Sequence, residues 1–239
     1  MPAYNEEGCI AEVVKRWLGE ISLIPDAAVE MIVVNDGSRD STGEILDSIA
    51  AHEPQLIVVH QKNGGHGTAL LRAYREALQR NPDWVFHVDS DDQFLPQDFV
   101  KLWSRRGESQ FIMGRRAVRH DAFHRLVITR ILLLFNMLIF GAFLKDANVP
   151  YRLIKGSYLR KLLGVLPQDV FAPNIFLAVL ARKDGQDLME IPVGHRDRET
   201  GKVSIVRWRL IKACLRCVRE LFLFRAGLSS SLHRLRQEP

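Results

Sequence analysis

Three short apolar runs, separated by segments that favour helices, constrain the fold of this 239-residue chain more than any other feature. The runs are rich in β-branched residues and have the length of buried strands. With a fourth, shorter run they cover Glu30–Asn35, Gln55–His60, Trp84–Asp89 and Phe111–Gly114. Helices are predicted from Asp40 to about Ala51 and from Thr68 to Gln79. Strands separated by single helices favour parallel pairing, so we predict an α/β protein that binds its ligands beyond the carboxyl ends of the strands.

A cluster of carboxylates follows the third run directly, in the sequence Asp89-Ser90-Asp91-Asp92-Gln93. Three carboxylates within four residues repel one another unless a cation or solvent compensates them. Oxygen ligands of this kind suit Mg²⁺ or Mn²⁺, which bind through a few carboxylates and the phosphates of a substrate. The alternative is a solvated acidic turn, and the position directly after a buried strand favours the metal site.

Two further polar segments are predicted at the same edge of the sheet. Asp36 ends the first run and could accept hydrogen bonds from a base or a ribose, although an aspartate in a turn or a helix cap is the alternative. Glycines 64, 65 and 67 permit positive φ and a close approach of the backbone to a ligand. The sequence contains neither a P-loop nor the Rossmann glycine fingerprint, so these two nucleotide-binding classes are excluded.

Together these segments resemble glycosyltransferase family 2, whose members are inverting enzymes with a GT-A fold. The resemblance rests on Pro2-Ala3-Tyr4-Asn5-Glu6-Glu7, Val33-Val34-Asn35-Asp36-Gly37-Ser38, Asn63-Gly64-Gly65-His66-Gly67 and the carboxylate cluster. Within the family the chain resembles the dolichol-phosphate mannosyltransferase branch, which transfers a sugar from a nucleotide donor to a polyprenyl phosphate. That likeness rests on Gly114-Arg115-Arg116, Arg130 and Asp146–Arg152. It implies a Rossmann-like, mostly parallel sheet flanked by helices.

The resemblance also implies roles for individual residues. Pro2, Tyr4 and Glu6 are expected to line the nucleotide site, and Asp36 to contact a uracil or guanine base. Asp89, Asp91 and Gln93 are expected to be the catalytic residues that bind Mg²⁺ or Mn²⁺ and the diphosphate. Arg116 and Arg130 are expected to hold the acceptor phosphate, and Arg196 or Arg198 to reach the donor or acceptor phosphates.

The sequence favours one class of sugar acceptor because it lacks a carboxylate where a general base is expected. A hydroxyl acceptor needs a general base near the sugar, whereas a phosphate monoester is already ionised near neutral pH. In hydroxyl-accepting relatives a carboxylate before a helix at about 172–182 supplies the base, but residues 171–176 contain none. This favours a polyprenyl phosphate. The alternatives are transfer to a hydroxyl of a glycan or lipid, with Asp169 or Asp92 as the base, and a non-catalytic nucleotide-sugar-binding relative.

The positive charge is concentrated at the C-terminus. The whole chain has 33 Lys+Arg and 28 Asp+Glu, a net charge of +5, whereas residues 196–239 alone carry 11 basic and 4 acidic groups. Val206 to Phe224 is predicted to form a basic amphipathic helix, with Arg209, Lys212, Arg216 and Arg219 on one side. Such helices bind anionic membrane surfaces, although packing on the core is the alternative. Nucleic acid is not expected as a partner, because no recognised motif accompanies the charge.

These patterns predict a GT-A domain at 1–205 and a basic C-terminal extension at 206–239. Residues 126–144 are apolar but interrupted by Arg130, so a helix at an interface or against the domain is favoured over a membrane span. The absence of a signal-peptide pattern and the three cysteines favour the cytoplasm, on the inner face of the membrane. Family members have a strand before the PxYNE segment, but here Met1 precedes Pro2 directly. We therefore expect the first strand to be missing and the true start to lie upstream.

Overall fold

The computed structural model describes residues 1–25, 27–116, 140–141, 144–167, 170–185, 188–196 and 207–237, and in the last of these ranges the side chains of residues 216 and 218–237. The strands are β1 Pro2–Ala3, β2 Met31–Asn35, β3 Leu56–His60, β4 Trp84–Val88, β5 Phe111–Arg116, β6 Tyr151–Lys155 and β7 Leu188–Val193. The helices are α1 Ile10–Ile21, α2 Thr42–Ala50, α3 His66–Gln79, α4 Phe99–Trp103, α5 Gly156–Val165, α6 Pro173–Lys183 and α7 Arg207–Gln237. The predicted α/β class is confirmed.

The first sheet has the order β1-β2-β3 and is parallel throughout, as predicted. Strand β2 pairs with β3 along its whole length, with Val33 opposite Val58. Strand β1 comprises only two residues, and Pro2 pairs with Val34. The terminal ammonium of Met1 donates to the carbonyl of Ile32 at 2.8 Å. The first strand, which was expected to be missing, is therefore present as two residues that pair with β2.

The second sheet has the order β4-β6-β5-β7 and is mixed. Strand β6 is antiparallel to both β4 and β5, and only β7 is parallel to β5. The expectation of parallel pairing therefore fails for β4 and β5. The physical reason is that the chain returns from residue 150 in the opposite direction and inserts β6 between them. The sequence analysis identified neither β6 nor β7.

One hydrophobic core joins the two sheets. Helix α1 buries Ile10, Val13, Val14, Trp17 and Leu18, whose spacing places them on one helix face. The ring of Trp17 lies 5.3 Å from that of Phe86 in β4 and 6.1 Å from that of Tyr151 in β6. Helix α1 follows β1 in the chain but packs on the second sheet, so it ties the two sheets together.

Helix α7 packs through a narrow stripe. Its buried residues are spaced three or four apart, which places them on one side of the helix, and they are Leu221, Phe224, Leu228, Ser231 and Leu235. The ring of Phe224 contacts that of Phe176 in α6 at 4.8 Å. Arg216 and Arg219 are exposed, as predicted, whereas the side chains of Arg209 and Lys212 lie outside the described residues. Phe222 is also exposed, and the helix continues to Gln237, beyond the predicted end at Phe224.

Most of the apolar segment 126–144 lies outside the described residues. Of the part that is described, Phe140 and Leu144 are buried, and the ring of Phe140 lies 6.1 Å from that of Phe224. Among the helices that the structure describes, none has both the length and the apolar character that crossing a bilayer requires.

Candidate active site

The predicted motifs meet at the carboxyl ends of three strands. Tyr4 follows β1, Asp36 follows β2 and Asp89 follows β4. The thiol of Cys9 lies 3.6 Å from the carbonyl oxygen of Ser90, so the segment after β1 touches the carboxylate cluster. The sequence therefore predicted both the strand ends and their proximity.

Two histidines surround the first carboxylate of the cluster. The Nε2 atoms of His87 and His66 lie 3.3 Å and 3.8 Å from Oδ1 of Asp89. Burial raises the pKa of Asp89, but both histidines and the N-terminal ammonium lower it, and the net pKa lies below its ordinary value. Burial lowers the pKa of His87 to about 4 against the opposing effect of Asp89, so this imidazole is neutral at pH 7. His87 is buried, and the sequence analysis predicted neither of these two contacts.

The carboxylate oxygens in this loop are suitable ligands for a hard cation that also binds the substrate. Asp89 and Asp91 contribute two carboxylates from one turn, and Oδ1 of Asp91 accepts the backbone N–H of Gln93 at 3.3 Å. Within the described ranges no three His, Cys, Asp or Glu side chains converge on a point that could hold a metal. Mg²⁺ commonly binds through one or two carboxylates and completes its shell with water and substrate phosphates. The residues present therefore fit such a cation bound together with a diphosphate.

Asp36 organises the glycine loop. Its side chain is 2% exposed, and Oδ1 accepts from Nε2 of Gln61 at 2.7 Å and from the N–H of Gly64 at 2.9 Å. Oδ2 accepts from the N–H of Gly65 at 2.9 Å. Gly65 has φ of +88°, a conformation that favours glycine. Both carboxylate oxygens thus bind the loop before α3, a role close to the turn alternative considered for this residue.

The segment after β1 is fastened to the loop before α2. The N–H of Glu6 donates to Oγ1 of Thr42 at 2.8 Å, and the N–H of Asn5 donates to Oγ of Ser38 at 3.0 Å. Pro2 and Glu6 are buried, and Tyr4 is partly exposed. Tyr4 is therefore the most accessible of the three residues expected to line the nucleotide site.

The arginines expected to bind phosphate differ in their surroundings. Arg116 forms a bidentate pair with Asp146, with Nε–Oδ2 and Nη2–Oδ1 distances of 2.8 Å. Arg196 donates to Asp92 through Nε and Nη2. Arg130 and Arg198 lie outside the described residues. The structure therefore brings Arg196 against the carboxylate cluster and holds Arg116 on the Asp146–Arg152 segment.

Arg152 is a site-supporting residue for which the sequence analysis assigned no role. It is fully buried and donates to three carbonyl oxygens, those of Val149 at 2.8 Å, Asn174 at 2.6 Å and Ala147 at 2.5 Å. Burial lowers the pKa of Arg152 to about 10, so it stays charged at neutral pH. The available signal was an arginine inside the apolar run Tyr151–Ile154, a position where charge is costly unless satisfied.

A comparison with models of protein families decides which family this chain belongs to. The model of glycosyl transferase family 2 matches residues 1–161. The chain belongs to glycosyl transferase family 2. This glycosyltransferase thus carries the carboxylate cluster, the glycine loop and the segment after β1 within the matched range.

Curated relatives of this glycosyltransferase include two sugar transferases. An undecaprenyl-phosphate 4-deoxy-4-formamido-L-arabinose transferase of Pseudomonas aeruginosa is 27% identical over 214 residues, which are 88% of this chain and 60% of that protein. The chain thus spans less than two thirds of that relative. An undecaprenyl-phosphate mannosyltransferase of Micrococcus luteus is 24% identical over 230 residues, which cover 88% of this chain and 92% of the relative.

Solved structures confirm the GT-A fold. Glucosyl-3-phosphoglycerate synthase of Mycobacterium tuberculosis in complex with UDP has a TM-score of 0.66 and 21% identity, and the match covers 95% of this chain and 78% of that one. The same enzyme in complex with Mn²⁺, UDP-glucose and phosphoglyceric acid has a TM-score of 0.65 and 20% identity, with the same coverage.

Proposed function

We propose that this glycosyltransferase moves a sugar from a UDP- or GDP-linked donor to a polyprenyl phosphate, with Mg²⁺ or Mn²⁺ and with inversion of the anomeric carbon. The observation that carries the proposal is the position of Asp89 and Asp91 at the carboxyl end of β4, beside the Asp36 loop and the Tyr4 segment. Both curated relatives are named for transfer to undecaprenyl phosphate. The solved relative has been found with Mn²⁺ and UDP-glucose.

The proposed mechanism assigns a task to each part of the site. Asp89, Asp91 and Gln93 would hold the cation, which would supply positive charge to neutralise the departing diphosphate. Pro2, Tyr4 and Glu6 line the nucleotide site. Asp36 keeps the glycine loop in place, so that its backbone approaches the donor closely, and contacts the base at the loop edge.

Arginines hold the acceptor in this proposal. Arg116, Arg130 and Arg198 neutralise the lipid phosphate and orient one of its oxygens towards the anomeric carbon, on the side opposite the diphosphate. Displacement from that side inverts the configuration. A fixed position for two reactants contributes much of the rate in such a reaction, because it replaces an encounter by an oriented approach.

A phosphate acceptor is favoured because the described residues before and within the start of α6 offer no base. The segment from Val170 to Phe176 contains neither Asp nor Glu. Asp92, one of the two alternative bases, already accepts hydrogen bonds at Oδ1 from the guanidinium groups of Arg16 and Arg196. Asp169, the other alternative, lies outside the described residues. An ionised phosphate oxygen attacks without giving up a proton, so the reaction does not require a base.

We further propose that residues 206–239 form a membrane-facing extension and that the protein is peripheral on the cytoplasmic face of the membrane. The exposed side of α7 carries Arg219 and Arg225 together with Phe222 and Leu223. Basic residues attract anionic lipid, and exposed aromatic and aliphatic side chains enter the interface. A lipid acceptor is presented at that surface.

The decisive assay combines the full chain, UDP- and GDP-sugars, a short polyprenyl phosphate and Mn²⁺ or Mg²⁺. We expect lipid-linked sugar whose formation stops on chelation of the metal. Asp91→Asn should lower kcat/KM by about 10²-fold or more, because removal of one electrostatic contact to the transition state costs that much in other enzymes. Glu53→Gln, a change at an exposed carboxylate before β3, is the matched control and should leave the rate unchanged.

Two outcomes contradict the proposal in different ways. Transfer to hydroxyl acceptors with none to polyprenyl phosphate would establish the alternative glycosyltransferase. Binding of a nucleotide sugar without any transfer would indicate a non-catalytic relative. Equal melting temperatures of Asp91→Asn and the wild type would show that a lost rate is not a loss of fold.

A further inference from the structure

Asp92 differs from its neighbours in the carboxylate cluster, both in backbone conformation and in its contacts. Its φ of +59° lies in the left-handed region, which few residues other than glycine, asparagine and aspartate adopt readily. Its Oδ1 accepts from Nη2 of Arg16 in α1 and from Nη2 of Arg196 after β7, the latter at 2.7 Å. The carboxylate of Asp92 is therefore bound by the guanidinium groups of two arginines. Asp89 and Asp91 lie on either side of Ser90 in the same loop.

The segment after β7 lies along the cluster through backbone contacts as well. Nε of Arg196 donates to the carbonyl of Asp92 at 2.7 Å, and the N–H of Arg196 donates to the carbonyl of Gln93 at 3.0 Å. Nε2 of Gln93 donates to the carbonyl of Arg196 at 3.3 Å, and Phe94 pairs with His195 in an antiparallel bridge. Hydrogen bonds of both backbone and side chains thus join the proposed metal-binding loop to residues 195 and 196.

Arg196 is only partly used by these contacts. Its side chain is 34% exposed, and of its three guanidinium nitrogens two donate to Asp92. Within the part of the chain that the structure describes, Nη1 of Arg196 makes no hydrogen bond. Arg16 lies on the other side of Asp92, where its side chain is 30% exposed and its Nε is 3.8 Å from Glu12. Arg196 therefore presents one unused guanidinium nitrogen beside the carboxylate cluster.

We propose that Asp92 is a positioning residue that binds neither metal nor donor itself. It holds Arg196 and the 194–196 segment against the Asp91–Gln93 turn, and so presets the donor site and leaves Nη1 of Arg196 for an anionic ligand such as a nucleoside diphosphate. The proposal rests on the function proposed above. Without the carboxylate, the guanidinium groups of Arg16 and Arg196 would lose the negative charge between them, and the side chain of Arg196 would lose its fixed position, although the backbone contacts of the segment would remain.

The test separates the carboxylate from the backbone conformation. Asp92→Gly keeps the left-handed turn at no steric cost but lacks the carboxylate, and Asp92→Asn keeps the turn and one oxygen but lacks the charge. We expect both variants to raise the donor KM and the calorimetric Kd of the nucleoside diphosphate with Mn²⁺ by about tenfold, which lies within the range of about 5–150-fold that is typical of energetic coupling to a binding site. The kcat should change by less than about threefold, because the proposed metal ligands are intact.

A double-mutant cycle tests whether Asp92 acts through Arg196. Arg196→Gln should raise the same KM and Kd, and Asp92→Asn combined with Arg196→Gln should be no worse than the more affected single variant, because contacting residues act non-additively. Arg72→Gln, which breaks the exposed pair of Arg72 with Glu76, is the matched control and should change neither constant.

Three results would overturn the proposal. Asp92→Gly with wild-type Kd would show that only the backbone turn matters. Additive effects of the two substitutions would show that Arg196 acts independently of Asp92. A collapse of kcat with unchanged Kd would show that Asp92 is the catalytic base. A wild type that binds nucleotide but transfers no sugar would count against the proposed function alone, because Kd still tests the positioning role.

Discussion

At the scale of single residues, Arg152 shows how a charge can be part of a hydrophobic core. It is fully buried in β6, and no carboxylate hydrogen-bonds to it among the described contacts of its guanidinium. Three backbone carbonyls take that place, and they belong to the turn before β6 and to the start of α6. Arg152 therefore fixes the Asp146–Arg152 motif and the segment expected to lie near the sugar.

Arg152→Leu should destabilise the protein strongly. The substitution removes the guanidinium that donates to the buried carbonyls of Ala147, Val149 and Asn174, and a hydrogen bond to a charged group contributes about 1.5–3 kcal/mol. We expect the free energy of unfolding to fall by about 3 kcal/mol or more, measured by urea denaturation. Arg105→Leu, at an exposed side chain, is the control and should change it by less than about 0.5 kcal/mol. A loss below about 1 kcal/mol for Arg152→Leu would contradict the assigned role.

At the scale of elements, a chain of contacts connects α7 with the active site. The carboxylate of Glu220 in α7 accepts the N–H of Phe171 at 2.8 Å. The carbonyls of Val170 and Phe171 lie directly against Gly67 in the first turn of α3. His66, the preceding residue, is the neighbour of Asp89. The first turn of α3 can therefore pack this closely against residues 170 and 171 because residue 67 has no side chain.

Gly67→Ala should therefore disturb both stability and the site. A Cβ there would overlap the carbonyl oxygen of Val170 and lie 2.7 Å from that of Phe171, so the backbone must shift. We expect a loss of about 1–3 kcal/mol in urea denaturation and a reduced sugar-transfer rate. Gly19→Ala, in α1 with nothing within 4 Å, is the matched control and should stabilise the helix by up to about 1 kcal/mol. Equal stabilities of the two variants would refute the contact.

At the scale of the whole molecule, charge is distributed unevenly. The chain has a net charge of +5, but the first 195 residues carry more acidic than basic groups, so the excess belongs to the C-terminal part. In the structure this part includes α7, which packs through one stripe and leaves Phe222 and Leu223 exposed by 54% and 63%. A basic surface with exposed apolar side chains is typical of peripheral membrane proteins.

We expect the full chain to bind vesicles of phosphatidylglycerol in a sedimentation assay and not vesicles of phosphatidylcholine. Binding should weaken as salt is raised well above about 0.1 M, because the attraction of exposed charges is then screened. Phe222→Ser combined with Leu223→Ser should reduce binding without a change in melting temperature. Val100→Ser, at an exposed apolar residue in α4, is the control. Equal binding to both vesicle types would disprove an electrostatic membrane contact.

The sequence by itself determined much of the first sheet and the location of the site. Apolar runs with β-branched residues identify β2, β3, β4 and the start of β5 because they are local patterns. The position of Asp36 and Asp89 at strand ends follows from the same patterns. The length of α7 was only partly predicted, because the predicted helix ended at Phe224, although Leu228, Leu232 and Leu235 continue the apolar spacing of three or four residues.

Only the tertiary structure decided the partners of the site residues. The insertion of β6 between β4 and β5, the histidines beside Asp89 and the arginines on Asp92 all join residues distant in sequence. Asp92 and Arg196, for example, are 104 positions apart. No local pattern encodes which buried charge meets which carbonyl or carboxylate, because that choice depends on how elements pack. The sequence thus determined where chemistry can occur, and packing decided which side chains hold the site and which are left for a ligand.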